Sequence, residues 1–320
     1  MKPLQAHEIF GNWATLLLPI KENEGIDWNQ LETEIDLLIQ CKVNGIYSNG
    51  TAGEFYNITE EEFEKVSNIL AEKCHAANMP FQIGVSHMSP VISVNRLKKV
   101  INLEPGAVQL ILPDWFKVTN EEAVDFLKLM EETAGDVGLV LYNPPHAKRN
   151  LIPADFGFLK QKVPNLVGIK VAGGDDQWYD EIRRHCGGLS VFIPGHHMIT
   201  GCLKGAHGAY SNMACLNPRA AQSWYESMAD DTERALDLER RINVFLKKYI
   251  LPLITEQHYS NQAVDKFLAV VGGWGGISAR LRWPYKWIDE ATTLALRPVA
   301  ESIIPEFFTD KPRVVPLKEE

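Results

Sequence analysis

The sequence predicts an α/β protein, a (β/α)8 TIM barrel over residues 1–229 carrying a C-terminal helical extension over residues 230–320 packed against it. Three observations predict it. Short apolar runs rich in β-branched residues alternate eight times with helical patterns over roughly 225 residues, close to the ~250 that such a barrel usually takes. The turn after the first run, Pro19-Ile20-Lys21-Glu22, lacks the glycines that a doubly wound dinucleotide-binding sheet usually places there. From Asp230 onward the pattern is helical only, with no linker-like change of composition.

Each element has its own signal. Residues 13–18 form a compact apolar run closed by Pro19 and read as the first strand. Asp27 opens a helical pattern with Leu31, Ile35, Leu38 and Ile39 on one face and Gly45 just past its end. The second strand, 45–48, leads to Thr59-Glu60-Glu61-Glu62, an N-cap with acidic first-turn residues for a helix reaching Ala77. Residues 81–85, 107–112 and 137–142 are strands three to five, separated by helices over 90–102 and 119–133. Asn143-Pro144-Pro145 stops the fifth strand, and a helix over 153–161 leads into the sixth. Asp175 or Asp176 starts the next helix, 190–193 is a strand ended by Pro194-Gly195, and 205–211 is the eighth strand. Pro218 opens the helix after it. Segments 233–248, 261–271 and 287–296 supply the extension, where Trp274, Trp283 and Trp287 read as packing residues.

Composition bounds the function. The chain has 320 residues, 45% hydrophobic and 23% charged, as in an ordinary soluble globular protein. A net charge of −9, a pI near 5.6 and the lack of any basic run argue against a nucleic-acid surface. There is no 18-residue apolar run and no signal-peptide core after Met1, so no membrane partner and a cytoplasmic location are expected. Five scattered cysteines without a CxxC pair read as reduced thiols. Residues 311–320, charged and proline-bearing, read as a surface tail.

The sixth strand holds the residue on which the functional reading turns. In Asn165-Leu166-Val167-Gly168-Ile169-Lys170-Val171-Ala172 a lone lysine sits near the end of a buried run. Such a lysine either snorkels to water or is a desolvated amine able to attack a carbonyl. Active sites of barrels gather at the C-terminal strand ends. Those ends carry Gly50-Thr51-Ala52-Gly53-Glu54, Asp114-Trp115-Phe116, Tyr142-Asn143, Lys170, Gly195-His196-His197 and Tyr210-Ser211-Asn212. Tyr142 and Lys170 end successive strands, which suits carbinolamine chemistry with an amine nucleophile and a proton shuttle. The loop from Gly50 to Glu54 could cradle a carboxylate on its N–H groups and the Thr51 hydroxyl, or Thr51 could merely cap the next helix.

Gly50-Thr51-Ala52-Gly53-Glu54, Tyr142-Asn143-Pro144-Pro145 and Gly168-Ile169-Lys170 resemble the signatures of the dihydrodipicolinate synthase and N-acetylneuraminate lyase family of class I, Schiff-base (β/α)8 lyases and aldolases. Gly195, the 205–211 strand and Gly275-Gly276-Ile277-Ser278-Ala279-Arg280 also fit, so the resemblance spans nearly the whole chain. It implies Lys170 as the Schiff-base lysine, Tyr142 as the phenol that shuttles protons, and Thr51 with the backbone of Ala52 as the grip on a pyruvate-like carboxylate. Substrate contacts are expected at Gly50, Ala52, Gly53, Asn143, Gly195, His196 and Tyr210. The resemblance further implies a small-molecule 2-keto acid as partner and a homo-oligomer, either a dimer or a dimer of dimers; no cofactor and no metal are expected.

Departures from the pattern narrow the substrate. The synthase's second loop threonine is Ala52 here, and its relay tyrosine is missing near Pro113-Asp114-Trp115. The arginine that grips an aldehyde's carboxylate is replaced at His146 or Ala147, with Lys148 and Arg149 shifted. Hydrogen-bonding residues His146, His196, His197, Tyr210, Asn212 and Asp114, with Trp115 and Phe116 for packing, suit a 2-keto-3-deoxy sugar acid. A lyase or aldolase acting on such an acid is therefore expected. A Schiff-base dehydratase, dihydrodipicolinate synthase itself and a non-catalytic 2-keto acid binding barrel are the alternatives. A metal-dependent hydrolase using His196, His197 and His207 is weakly signalled, because no carboxylate-histidine motif accompanies them.

Overall fold

The computed structural model describes residues 1–310 and Pro312. Eight parallel strands close into a barrel in sequence order: β1 (Gly11–Thr15), β2 (Gly45–Ser48), β3 (Phe81–Gly84), β4 (Ala107–Ile111), β5 (Gly138–Tyr142), β6 (Leu166–Lys170), β7 (Ser190–Pro194) and β8 (Gly208–Tyr210). Outside them run α1 (Trp28–Gln40), α2 (Glu60–Ala77), α3 (Pro90–Val100), α4 (Asn120–Ala134), α5 (Pro153–Lys162), α6 (Asp176–His185) and α7 (Met198–Leu203). After β8 come a short α8 (Asn212–Leu216) and then α9 (Pro218–Asp230). The fold is the (β/α)8 barrel with C-terminal helices that the alternation predicts.

Local chemistry explains the boundaries. Thr59 and Glu62 form a reciprocal capping box at α2, as Thr119 and Glu122 do at α4. Asp175 rather than Asp176 caps α6, accepting from the Trp178 N–H. β1 ends at Thr15, short of the predicted Leu18, because the Leu17 N–H turns away to donate to the buried Glu34 carboxylate at 2.7 Å.

Most of the core lies between strands and helices, and a second cluster fills the barrel interior with Ile9, Trp13, Tyr47, Ala107, Val140, Val167, Phe192 and Tyr210. Val167 belongs to that interior cluster while Lys170, three residues on, also faces inward. Strict alternation forbids this. A register shift resolves it: Leu139 pairs with Leu166 but Val140 pairs with Gly168, so β6 carries one additional residue.

The extension comprises α10 (Thr232–Phe245), a π-helical turn (Leu246–Ile250), α11 (Leu251–Thr255), α12 (Asn261–Gly272) and α13 (Glu290–Ile303). The turn widens just before Pro252, which has no N–H to continue the α-helical ladder. α12 packs on α8 and α10 on α9, so the extension covers the β8 side of the barrel. Trp274 is buried and donates to the Cys215 carbonyl. Trp283, expected to pack, is 75% exposed: it lies in a turn before α13 rather than on a helix face. Of the predicted tail only Pro312 is described, and it is buried; the remainder lies outside the described residues. Among the described residues no helix is long and apolar enough to cross a membrane.

Candidate active site

A cavity of about 430 Å³ opens at the C-terminal mouth of the barrel. Strand ends supply Thr15, Tyr47, Tyr142, Lys170, Pro194 and Tyr210, and the extension closes the opposite wall. Register brings the central pair together, since Tyr142 and Lys170 are directly paired across β5 and β6. The Lys170 amine lies 4.2 Å from the centroid of the Tyr142 ring, 5.2 Å from Tyr210 and 5.8 Å from Tyr47. Burial among these rings pulls the amine down to about 8, with the Asp265 carboxylate opposing the shift. A useful fraction of this amine is therefore neutral near physiological pH, which is what attack on a carbonyl requires.

Burial pushes the Tyr142 phenol up to about 12, the Thr51 hydroxyl pulling against that shift and Asp265 adding to it. The free protein therefore holds Tyr142 as the neutral phenol near neutral pH. Thr51 and Ala52 both line the cavity, on a loop whose shape two neighbours impose. At Gly50 a Cβ would sit 2.4 Å from the Tyr47 ring, so only glycine lets the loop pass over that tyrosine. Asn49 and Glu54 bracket the loop in the left-handed region, at φ 53° and 50°. Glu54 is held there by a buried ion pair with Lys266 of α12 at 2.6 Å and by the Arg282 N–H at 3.1 Å.

The other predicted contacts divide between the cavity wall and its supports. Asn143, expected at the substrate, is committed to its own loop: its amide donates to the Arg149 carbonyl and accepts from the Leu151 N–H, both at 2.8 Å. Gly50 and Gly53 shape the loop without lining the cavity, Gly53 packing on the Leu16 carbonyl. Gly195 is likewise off the cavity wall, where a Cβ would meet the Ser211 hydroxyl at 2.4 Å. Tyr210 reaches the cavity with its ring, but its hydroxyl is turned into the barrel interior and donates to Gln82. His196 lines the cavity, paired with Asn212, and burial pulls it down to about 4.

The far-end residues divide the same way. Trp115 and Phe116 are 72% and 78% exposed and do not line the cavity. His146 is exposed, and Asp114 accepts from the Lys148 N–H. Arg149 points away from the cavity toward the Val118 carbonyl, Asn120 and Asp155. His197 stacks against His196, whereas His207 sits at the opposite end of the barrel, accepting from the Val191 N–H. Among the described residues no group of three or more His, Cys, Asp or Glu is placed to hold a metal.

Sequence reasoning missed Tyr47, Asn243, Lys247 and above all Asp265, which all line the cavity. A signal for Asp265 existed: Asp265-Lys266 is a pair of adjacent charges inside the apolar stretch from Ala263 to Val271, as anomalous as Lys170 in its strand.

The sequence profile of the Dihydrodipicolinate synthetase family matches residues 9–294. A 4-hydroxy-tetrahydrodipicolinate synthase of Methylococcus capsulatus is 25% identical over 298 residues, covering 90% of this chain and 97% of the relative. Two solved structures share the fold at a TM-score of 0.80. One is YagE from E. coli K12 in complex with pyruvate (18% identity, covering 92% of this chain and 98% of that one). The other is a catalytic lysine mutant of the Ruminococcus gnavus sialic acid aldolase (17% identity, covering 96% and 98%). The profile runs from just before β1 into α13, and on that match the chain belongs to the dihydrodipicolinate synthetase family and is one of its class I lyases.

Proposed function

We propose that the protein is a Schiff-base lyase that cleaves a 2-keto-3-deoxy sugar acid, or a closely similar 2-keto acid, to pyruvate and an aldehyde, or joins the two. The observation that carries this reading is the Lys170 amine, lowered to about 8 and facing Tyr142 across adjacent strand ends. Lys170 Nζ attacks the C2 carbonyl, and Tyr142 protonates the carbinolamine hydroxyl as it leaves as water. That leaves Tyr142 as a phenolate, which takes the C4 hydroxyl proton; the O–H electron pair becomes the aldehyde C=O bond as the C3–C4 pair enters the iminium to give the enamine. Protonation of the enamine at C3 and hydrolysis then free pyruvate and the lysine. The Thr51 hydroxyl and the loop N–H groups hold the C1 carboxylate.

The far end of the cavity favours a neutral, hydroxylated substrate over an amino-acid semialdehyde. Arg149 faces the wrong way to hold a second carboxylate, and Asn243, Asn212 and His196 offer neutral hydrogen-bonding groups, with Lys247 beside Asn243 on the same wall. Synthase activity is therefore not part of this proposal, whatever the names of sequence relatives.

Incubation with pyruvate followed by borohydride and peptide mass analysis tests the reading, with Lys170→Ala as control. The expected result is a reduced pyruvyl adduct on the Lys170 peptide, absent from the variant. Capture of a longer 2-keto acid without free pyruvate as a product favours a dehydratase using the same imine. No adduct with any keto acid leaves a non-catalytic binding barrel. Self-association as a dimer or dimer of dimers belongs to the same proposal, and sedimentation at the monomer mass removes it.

A further inference from the structure

Three tyrosine rings surround the Lys170 amine, and their hydroxyls have three different surroundings. Tyr142 stands closest, its ring centre 4.2 Å from the amine. Tyr210 turns its hydroxyl proton away from the cavity to Gln82. Tyr47, near the end of β2, is 1% exposed and lines the cavity, yet among the described residues its hydroxyl forms no hydrogen bond. Leaving a buried hydroxyl unpaired is costly, so its position calls for a partner that the chain itself does not supply.

Packing fixes where that hydroxyl stands. The Tyr47 ring is wedged between the Tyr210 ring, 5.0 Å away, and the loop that follows β2. A Cβ placed on Gly50 would lie 2.4 Å from Tyr47 Cε1 and 2.5 Å from its Oη, so the hydroxyl end of the ring is the part that touches the loop. The Lys170 amine is further off, 5.8 Å from the ring centre. Tyr142 is thus the phenol beside the nucleophile, and Tyr47 the phenol beside the loop. That loop has donors of its own. Its N–H groups at Glu54 and Phe55 close the turn onto the carbonyls of Thr51 and Gly50 at 3.1 and 3.2 Å, whereas those of Thr51 and Ala52 form no backbone hydrogen bond among the described residues. Both of these residues line the cavity, and the Thr51 hydroxyl makes a third donor beside the two N–H groups. Position 52, being alanine, adds no hydroxyl. An ionised carboxylate offers about four lone-pair sites. Tyr47 Oη supplies the fourth donor, and burial keeps the phenol protonated by holding it well above its ordinary range.

We propose that Tyr47 donates a hydrogen bond to the C1 carboxylate of the bound 2-keto acid, a role that rests on the imine chemistry assigned above to Lys170. The carboxylate then lies between the loop N–H groups and the Tyr47 hydroxyl, which leaves C2 toward Lys170 and Tyr142. The second side-chain hydroxyl of the grip thus comes from a barrel strand and not from the loop. Because packing already holds the ring in place, this donor is set before the substrate arrives.

Wild type and Tyr47→Phe are compared by borohydride trapping over a range of pyruvate concentrations. The comparison is repeated with acetone, which carries a methyl group where pyruvate has its carboxylate. Loss of a hydrogen bond to a charged group is expected to raise the half-saturating pyruvate concentration of the Phe variant about 10–100-fold. Its trapping rate at saturating pyruvate should stay within about threefold of wild type, and its acetone trapping within about twofold. A half-saturating pyruvate concentration within about threefold of wild type overturns the proposal and leaves the imine reading intact. Acetone trapping that falls as far as pyruvate trapping also overturns it, because Tyr47 then serves the amine or the packing and not the carboxylate. If wild type traps acetone too slowly to compare, the rate at saturating pyruvate decides: kept, it supports the role, and lost, it overturns it. Should the Phe variant not fold, Tyr47→Met, which also removes the hydroxyl, is judged by the same criteria. A wild type that traps no pyruvate removes the imine reading first, and this proposal with it.

Discussion

Among the described residues two lysines lie inside this protein, and their surroundings give them opposite fates. Lys266 is wholly buried in α12, 2.6 Å from the Glu54 carboxylate and 2.7 Å from the Arg280 carbonyl. Lys170 sits among three tyrosine rings with no carboxylate within ion-pair distance among the described residues, and burial leaves its amine at about 8. The difference teaches that burial alone does not make a lysine reactive. A lysine buried with a carboxylate is tied into a joint, whereas one buried without such a partner gives up its proton more readily, as the proposed nucleophile must. The two are also connected. By pinning Glu54 in a left-handed conformation, Lys266 holds the Thr51–Ala52 loop beside Lys170.

Removing each lysine in turn tests this contrast. Lys170→Ala is expected to cut turnover by about 10⁴-fold or more without lowering the denaturation midpoint, measured by steady-state assay and urea titration. A loss of stability there would make Lys170 structural after all. Lys266→Met strands Glu54 and is expected to cost about 3–5 kcal/mol in denaturant unfolding. The double variant Glu54→Gln with Lys266→Met should regain part of that loss, and additive losses in the cycle would deny the coupling.

Tyr142→Phe is expected to slow turnover about 10²-fold while leaving pyruvate affinity near wild type, since the ring still packs over the amine. The smallest effect concerns pH. Lys170 attacks as the free amine, so the trapping rate should rise with pH through about 8 and be low on the acid side. The charge of Asp265 favours the ammonium, so Asp265→Asn should move that limb to lower pH. A limb near the ordinary lysine value would mean that the amine is hydrated.

Much of the fold is legible because its signals are local. Short apolar runs, N-caps at Thr59 and Thr119, and Pro144-Pro145 after β5 each act within a few residues. The β6 bulge is not, because it depends on which residues of β5 stand opposite. Asn143 shows the same limit at the site: its position at a strand end suggested substrate, but the returning 149–151 segment captures its amide. Trp115 and Phe116 lie four and five residues beyond the end of β4 and are exposed.

By itself, then, the sequence determined the barrel, its order of elements and the anomalous lysine of β6, since strand and helix periods and a charge in an apolar run are properties of neighbouring residues. Only the tertiary structure decided which strand-end side chains meet in the cavity. It alone set Asp265 beside a lysine 95 positions earlier in the chain and Lys266 against Glu54. The reason is physical: a charge becomes a joint or a working group according to what packs against it, and in this protein those neighbours come from the far end of the chain.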